Sequence, residues 1–159
     1  MRRIVTCLWF DGRIHEALAL YTGLLPDARL VEISHHGPEA ERYVGEVLSA
    51  RFTIQGHELV LLNGGPGYRH SPAISLQIHC DTQEEIDGLW ERLGDGGEPG
   101  RCAWLADRFG ISWQIVPAAP RAWMASAEPE RSRRVSAALM RMDKLESAAL
   151  EAAYHGNQG

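Results

Sequence analysis

The sequence predicts an α+β protein made of two βαβββ modules followed by C-terminal helices. Three observations support this fold class. A strand, a turn, a helix and further short strands fill residues 1–68, and the same order of elements starts again within residues 69–119. Residues 120–159 then change to a helical pattern. We therefore expect residues 1–119 to form one paired domain and the remainder to form a helical extension.

The first module begins with a β-prone run at residues 4–10, which Asp11 and Gly12 end. The next segment is predicted to be helical because apolar residues recur at helical spacing, namely Ile14, Leu18, Tyr21 and Leu25. Pro26 ends this helix, since proline disrupts a helix interior. Three β-prone segments separated by turn residues complete the module, at residues 28–35, 44–54 and 58–62.

The second module repeats this order in a shorter form. A strand is predicted at residues 73–80, Asp81 and Thr82 provide a helix cap, and residues 84–93 have a helical period. A turn-rich break is predicted at residues 94–100. Two short strands follow at residues 102–105 and 111–116, with a turn at residues 107–110 between them. The second module is therefore predicted as a shorter βαβββ, with two of its last three strands located.

The two helices support an internal duplication. Sliding one over the other by 69 residues matches Glu16 with Glu85, Ala17 with Ile86, Leu20 with Leu89, Tyr21 with Trp90 and Leu24 with Leu93. Amphipathic helices share some apolar matches by chance, so the matching order of strands is the stronger support.

The C-terminal extension reads as two helices. One face of the first carries Val135, Ala138, Leu139 and Met142. Asp143 and Glu146 have the spacing of a capping box for the second. The apolar face must be buried, either against its own domain or against a second subunit.

Composition excludes several classes of partner. The 16 basic and 21 acidic residues give a formal net charge of −5, and Arg131, Arg133 and Arg134 are the one basic cluster, so no nucleic acid partner is expected. That cluster is either a solvated helix face or an anion site. No apolar stretch approaches the roughly 20 residues of a membrane span. Three widely spaced cysteines and the lack of a signal-peptide pattern indicate a cytoplasmic protein.

Two corresponding strands each present a polar face. Alternation along residues 73–80 places Ser75, Gln77 and His79 on one side, and Gln114 alternates with apolar neighbours in the same way. Two polar faces in equivalent strands favour a shared ligand cleft. The alternative is an ordinary solvated face of an antiparallel sheet.

The first strand and the glycine-rich segment supply further candidates. Cys7 and Trp9 share a face; Cys7 is either a nucleophile or a small apolar filler, and Trp9 is either a stacking wall or core bulk. Residues 63–67 lack the ending of a P-loop and read as a turn or a cleft rim, from which Asn63 is a candidate ligand contact.

Three segments together resemble one protein family. They are residues 7–11 (CLWFD), 62–66 (LNGGP) and Trp104 with 107–115 (DRFGISWQI). With them the chain resembles the 3-demethylubiquinone 3-methyltransferase-like subgroup of the vicinal oxygen chelate superfamily, which includes glyoxalase, bleomycin-resistance and dioxygenase proteins. The resemblance runs from about residue 4 to residue 156, C-terminal helices included. It implies curled mixed sheets around a cleft, and usually a homodimer.

The resemblance also implies where a metal would bind. Metal-using relatives place four ligands, mostly His, Glu or Gln, on the first and last strands of both modules. The equivalent positions here are Gln114, Ser75, Val60 and Val5. One amide, one hydroxyl and two alkyl groups would not hold a catalytic metal, so we expect neither a metal nor another cofactor.

Methyl transfer is not expected either. A methyl transfer from S-adenosylmethionine usually needs a glycine-rich turn in a doubly wound parallel sheet, and the turns after the first and fifth strands lack it. We therefore expect a glyoxalase-like protein that binds a small molecule without a catalytic metal. The alternative is a metal-assisted lyase, isomerase or dioxygenase. The predicted cleft residues are Cys7, Trp9, Asn63, Ser75, Gln77 and Gln114, with Gln114 near the centre.

Overall fold

A computed structural model describes residues 4–40, 42–118 and 128–156 of the chain. The chain divides into two compact units, the first ending at His70 and the second beginning at Ser71. The predicted start of the helical extension, at residue 120, lies outside the described residues. No helix among the described residues is long and apolar enough to cross a membrane.

The first unit contains one helix and a four-stranded mixed sheet. Its elements are β1 (Thr6–Phe10), α1 (Ile14–Thr22), β2 (Arg29–His35), β3 (Val47–Ile54) and β4 (His57–Asn63). The strand order is β1-β4-β3-β2, with β1 parallel to β4 and the other pairs antiparallel. The predicted βαβββ order of this module is confirmed.

The second unit repeats this topology and adds two helices. Its elements are β5 (Leu76–Cys80), α2 (Gln83–Gly94), β6 (Glu98–Pro99), β7 (Trp104–Ala106), β8 (Ser112–Pro117), α3 (Pro129–Leu139) and α4 (Ser147–His155). The strand order is β5-β8-β7-β6, again with the first and last strands parallel. The α+β class and the paired βαβββ arrangement are thus confirmed.

The sequence prediction missed one strand. Glu98 and Pro99 form β6, opposite Ala106 and Leu105 of β7, inside the segment predicted to be a turn-rich break. A strand of two residues has no alternation that could reveal it, and proline at a sheet edge is compatible with pairing. Strand β6 forms only through its pairing with β7, and residues 98–99 alone give no sign of that pairing.

In each unit the helix covers one face of the sheet. In the first unit the fully buried Tyr21 of α1 stacks on Phe52 of β3, with ring centroids 6.2 Å apart. In the second, Ile86 and Leu93 of α2 are fully buried, as is Ile115 of β8. Alternate strand residues therefore point to this core, and their neighbours point to the opposite side of the sheet. We call that opposite side the open face.

The apolar stripe of α3 packs within the second unit. Val135 packs with Ala103, Leu145 and Leu150, and the remaining stripe residues lie against this cluster. Arg134 of α3 donates hydrogen bonds to the carbonyl groups of Ala153 and Tyr154, at 2.8 and 2.9 Å. The Arg134 guanidinium thus satisfies carbonyl groups at the C-terminal end of α4 that have no partner within the helix. Arg134, one member of the basic cluster, therefore has a structural role.

Candidate functional site

The open face of the second unit carries a row of polar side chains on neighbouring strands. Trp113 and Ile115 of β8 are buried, so Gln114 between them points to the open face, where it is half buried. Gln114 is paired with Gln77 of β5 on one side and with Trp104 of β7 on the other. Gln114 thus lies at the centre of a three-strand row.

A chain of hydrogen bonds joins three of the predicted site residues. Gln77 Nε2 donates to Gln114 Oε1 at 3.0 Å, and Gln114 Nε2 donates to Ser75 Oγ at 2.8 Å. We call these three residues the amide relay. Each member is uncharged at neutral pH, so the relay can orient a ligand through hydrogen bonds but offers no acid–base pair.

Trp104 is an open-face residue that the site prediction left out. Its neighbour Leu105 is buried, which directs Trp104 to the side that Gln114 occupies. The indole is half buried and gives the row an aromatic surface. Alternation around Leu105 is a weak signal in a three-residue strand, so only the pairing with β8 reveals the position of Trp104.

The open face of the first unit contains Cys7 and Trp9. Cys7 is paired with Val60, which is paired in turn with Arg51, so these residues form a row across β1, β4 and β3. The Cys7 side chain is exposed, and partial burial of the thiol raises its pKa. A raised pKa keeps the sulfur protonated near neutral pH, which argues against activation as a nucleophile.

Trp9 is braced by the glycine-rich segment. Its Nε1 donates to the Gly65 carbonyl at 2.7 Å, and the Tyr68 ring meets the indole edge-on, with centroids 4.9 Å apart. A Cβ added at Gly64 would overlap the indole ring, so glycine is required there. The segment thus has a packing role beside the predicted rim role.

Asn63 belongs to the opposite side of its strand. It is buried, in phase with the core residues Leu59 and Leu61, and its Oδ1 accepts a hydrogen bond from the Gly12 backbone at 2.9 Å. This bond ties the end of β4 to the turn after β1. The structure gives Asn63 this role, and its contact with a ligand stays a prediction.

Arg51 is a charged residue of the first open face that the sequence analysis missed. Its guanidinium lies 2.6 Å from the Glu32 carboxylate and 3.6 Å from that of Glu58. The three residues lie on three different strands, so no local spacing could have revealed the cluster. The carboxylates offset the arginine charge, which makes the cluster a poor attractor for an anion.

The residues at the implied metal positions do not fit a metal. Val5 and Val60 have no donor atom, and the Ser75 hydroxyl and the Gln114 amide are hydrogen-bonded to each other. Within residues 4–40, 42–118 and 128–156, no group of three His, Cys, Asp or Glu side chains could hold a metal ion. These positions therefore lack the ligand set that a metal-dependent reaction would need.

Comparison with known proteins gives one family match and several similar structures. The family model for 3-demethylubiquinone-9 3-methyltransferase matches residues 2–116. A PhnB protein of Bacillus cereus that carries the same methyltransferase description is 31% identical, with a TM-score of 0.68 over 74% of this chain and 100% of its own. No curated protein matches the chain.

More distant structures share the fold alone. A Pseudomonas aeruginosa protein is 23% identical, with a TM-score of 0.62 over 74% of this chain and 98% of its own. The fosfomycin resistance protein FosX from Listeria monocytogenes, in a complex with Mn(II) and a dihydroxypropylphosphonic acid, is 13% identical, with a TM-score of 0.52 over 73% of this chain and 92% of its own.

Proposed function

Because the chain belongs to the 3-demethylubiquinone-9 3-methyltransferase family of the vicinal oxygen chelate superfamily, we propose that it binds a small neutral molecule without a catalytic metal. The observation that carries this proposal is the amide relay of Ser75, Gln114 and Gln77. Small-molecule sites typically combine a few preformed polar groups with aromatic and aliphatic surface.

Methyl transfer has no support beyond the family description. The chain segments after β1 and β5 read Asp11-Gly12 and Asp81-Thr82, and neither resembles the glycine-rich turn that holds a nucleotide cofactor. Both sheets are mixed, with a single parallel pair at one side, and a doubly wound parallel sheet is not formed by the described strands.

A ligand screen with paired variants tests the proposal. Gln114→Leu keeps the size of the side chain but removes the relay amide, so compounds that stabilise the wild-type protein against heat should lose that effect. Gln55→Leu, in the exposed turn between β3 and β4, is the matched control and should retain it. A screen in which every hit is insensitive to Gln114→Leu would reject the relay as the binding site.

A metal-assisted enzyme is the competing possibility, and it predicts a different result. The FosX structure described above contains Mn(II), whereas the metal positions that the family resemblance implies in this chain lack a suitable donor set. Metal analysis of protein purified without chelator separates the two. A stoichiometric divalent metal that is lost in Gln114→Leu would overturn the metal-free proposal.

We also propose that the protein is a cytoplasmic homodimer. The family resemblance supports a dimer, and three exposed apolar side chains of β2, Leu30, Val31 and Ile33, offer a surface that a second copy could cover. The α3 stripe is not evidence for a dimer, because it packs against a core cluster of its own unit. Sedimentation at micromolar concentration should give a dimer, and a monomer would refute it.

A cytoplasmic location rests on the cysteines. Cys7, Cys80 and Cys102 are free thiols, as expected of a protein in a reducing compartment. Neither nucleic acid nor membrane is proposed as a partner. Fractionation of cells that express the tagged chain should recover it in the cytoplasmic fraction.

A further inference from the structure

We propose that the amide relay selects a flat neutral ligand with one hydrogen-bond donor and one acceptor roughly 6–7 Å apart, which is the distance that two residues span along a strand. The proposal rests on the proposed function, because it describes the ligand of the same site.

The direction of the relay determines what its two ends offer. Ser75 Oγ accepts a hydrogen bond from Gln114, so its own proton is available to donate. Gln77 donates one N–H to Gln114, so its Oε1 and its second N–H are both open to a ligand. A ligand with an acceptor facing Ser75 and a donor facing Gln77 satisfies both ends, whereas a ligand with two acceptors can use only the second N–H of Gln77 and leaves Oε1 without a donor. Rotating both amides by half a turn exchanges the two ends but keeps the requirement for one of each.

The spacing of the two ends sets the distance within the ligand. Gln77 lies on β5, and Ser75 lies two residues earlier, immediately before the strand begins. Gln114 lies between them on the neighbouring strand, and its amide contacts both. A donor and an acceptor on adjacent atoms could serve only one end, so the two groups must lie at opposite ends of the ligand.

The surroundings of the relay favour a flat apolar frame between these groups. Trp104 is the cross-strand neighbour of Gln114 on this face. An indole favours stacking with another ring. The relay carries no ionised group, so it offers no charged partner to an ionised ligand.

Three ring compounds of similar size test this requirement. 4-Hydroxyacetophenone carries a hydroxyl and a carbonyl across a ring, 4-methoxyacetophenone lacks the donor, and 4-ethylphenol lacks the carbonyl. Titration followed through the side-chain amide NMR signals of Gln77 and Gln114 should show that the first compound binds roughly two-fold to ten-fold more tightly than either of the others, as expected for one neutral hydrogen bond.

Paired serine variants locate the effect. Ser75→Ala removes one end of the relay, so 4-hydroxyacetophenone should lose its advantage over one of the other two compounds: 4-ethylphenol if Ser75 donates to the ligand, and 4-methoxyacetophenone if Ser75 accepts from it. Ser49→Ala, which removes a hydroxyl bonded to Ser34 in the first unit, should keep that advantage.

Equal affinity for the three compounds, or no response of the Gln77 and Gln114 amide signals to 4-hydroxyacetophenone, would overturn the inference. Screening hits that need Gln114 but lack a donor and acceptor pair would also overturn it, while leaving the proposed function intact. If no screening hit depends on Gln114, the proposed function itself is rejected.

Discussion

Gln114 is held at both ends of its side-chain amide, which makes Gln114→Glu an informative change. The new carboxylate can still accept from Gln77 Nε2, and the Ser75 hydroxyl can turn to donate to it, so the fold should persist. The change adds one anionic oxygen at the implied metal position, while Val5 and Val60 still contribute none. Titration with Mn²⁺ should therefore show at most weak binding.

Ala137→Glu is the charge-matched control for this titration, because it adds the same carboxylate at an exposed position of α3 that has no acidic residue within four positions. Both variants should respond to Mn²⁺ alike within experimental error. Tight stoichiometric binding confined to Gln114→Glu would show that further ligands exist around this position, and the donor-set argument would then be wrong.

Asp107 anchors the turn that precedes β8. One carboxylate oxygen accepts from the backbone N–H groups of Phe109 and Ile111, at 2.9 and 3.1 Å, and the other accepts from the Trp113 indole at 2.8 Å. The side chain is only 3% exposed. Asp107→Ala leaves these three N–H donors without their acceptor. The free energy of unfolding, measured by urea denaturation, should therefore fall by about 2–4 kcal/mol.

Asp107→Asn distinguishes the hydrogen bonds to the turn backbone from the hydrogen bond to the Trp113 indole. An amide oxygen can still accept from the turn, but its NH₂ group would then face the Trp113 N–H, donor against donor. We expect a loss of stability here too, together with a change in tryptophan fluorescence. Asp143→Asn, at an exposed position, is the control and should leave stability nearly unchanged.

At the scale of elements, helix α2 was predicted accurately and the start of α4 was not. Thr82 and Glu85 form a reciprocal capping box at the start of α2, a signal contained in four consecutive residues. The similar spacing of Asp143 and Glu146 predicted a cap that does not form, because α4 begins at Ser147. The Ser147 N–H instead donates to the side chain of Gln83 on α2, a partner that no local pattern could identify.

Gln83 therefore joins α2 to the C-terminal helices. Its Oε1 accepts from Ser147 N at 2.8 Å, and its Nε2 donates to the Leu145 carbonyl at 3.0 Å. Gln83→Ala should remove the partner of both the Ser147 N–H and the Leu145 carbonyl. Amide hydrogen exchange across Ser147–His155 should become faster, and the free energy of unfolding should fall by about 1–2 kcal/mol. Glu84→Ala, one residue away and exposed, should not change the exchange of α4. Unchanged exchange in Gln83→Ala would contradict the capping role.

For the whole molecule, the duplication was readable from the sequence and the composition of the site was readable only in part. The repeated order of elements and the parallel pairing of β1 with β4 and β5 with β8 follow one plan. Strand alternation predicted the facing of Gln77 and Gln114 correctly. It could not identify Trp104 or Arg51, because their neighbours come from other strands and depend on register.

The stability of the whole molecule should depend on pH at both ends of the scale. Burial raises the pKa of the Cys80 thiol to about 11, with further contributions from Glu85 and Asp81. A hydrogen bond to Asp11 raises the pKa of Tyr43, and one to Asp87 raises that of Lys144. In each case the folded chain holds its proton more firmly than the unfolded chain.

The sign of the alkaline effect follows from these shifts. Since an ordinary cysteine is half ionised at about pH 8.5, the folded state binds more protons than the unfolded state around and above this pH, and the free energy of unfolding should fall as the pH rises toward 11. On the acid side, the hydrogen bonds from Lys144 and Gln83 lower the pKa of Asp87, so their contribution is lost as the pH falls below about 4.

Urea denaturation between pH 7 and pH 11, in the presence of a thiol reductant, measures the alkaline limb. Cys80→Ala removes the group with the largest shift, so its free energy of unfolding should decline less steeply over this range than that of the wild-type protein, whatever its absolute stability. The comparison of slopes is insensitive to the cavity that the smaller side chain leaves in the core. Equal slopes for the two proteins would show that the Cys80 thiol titrates alike in the folded and unfolded chains, and the assignment of the alkaline effect to its burial would be wrong.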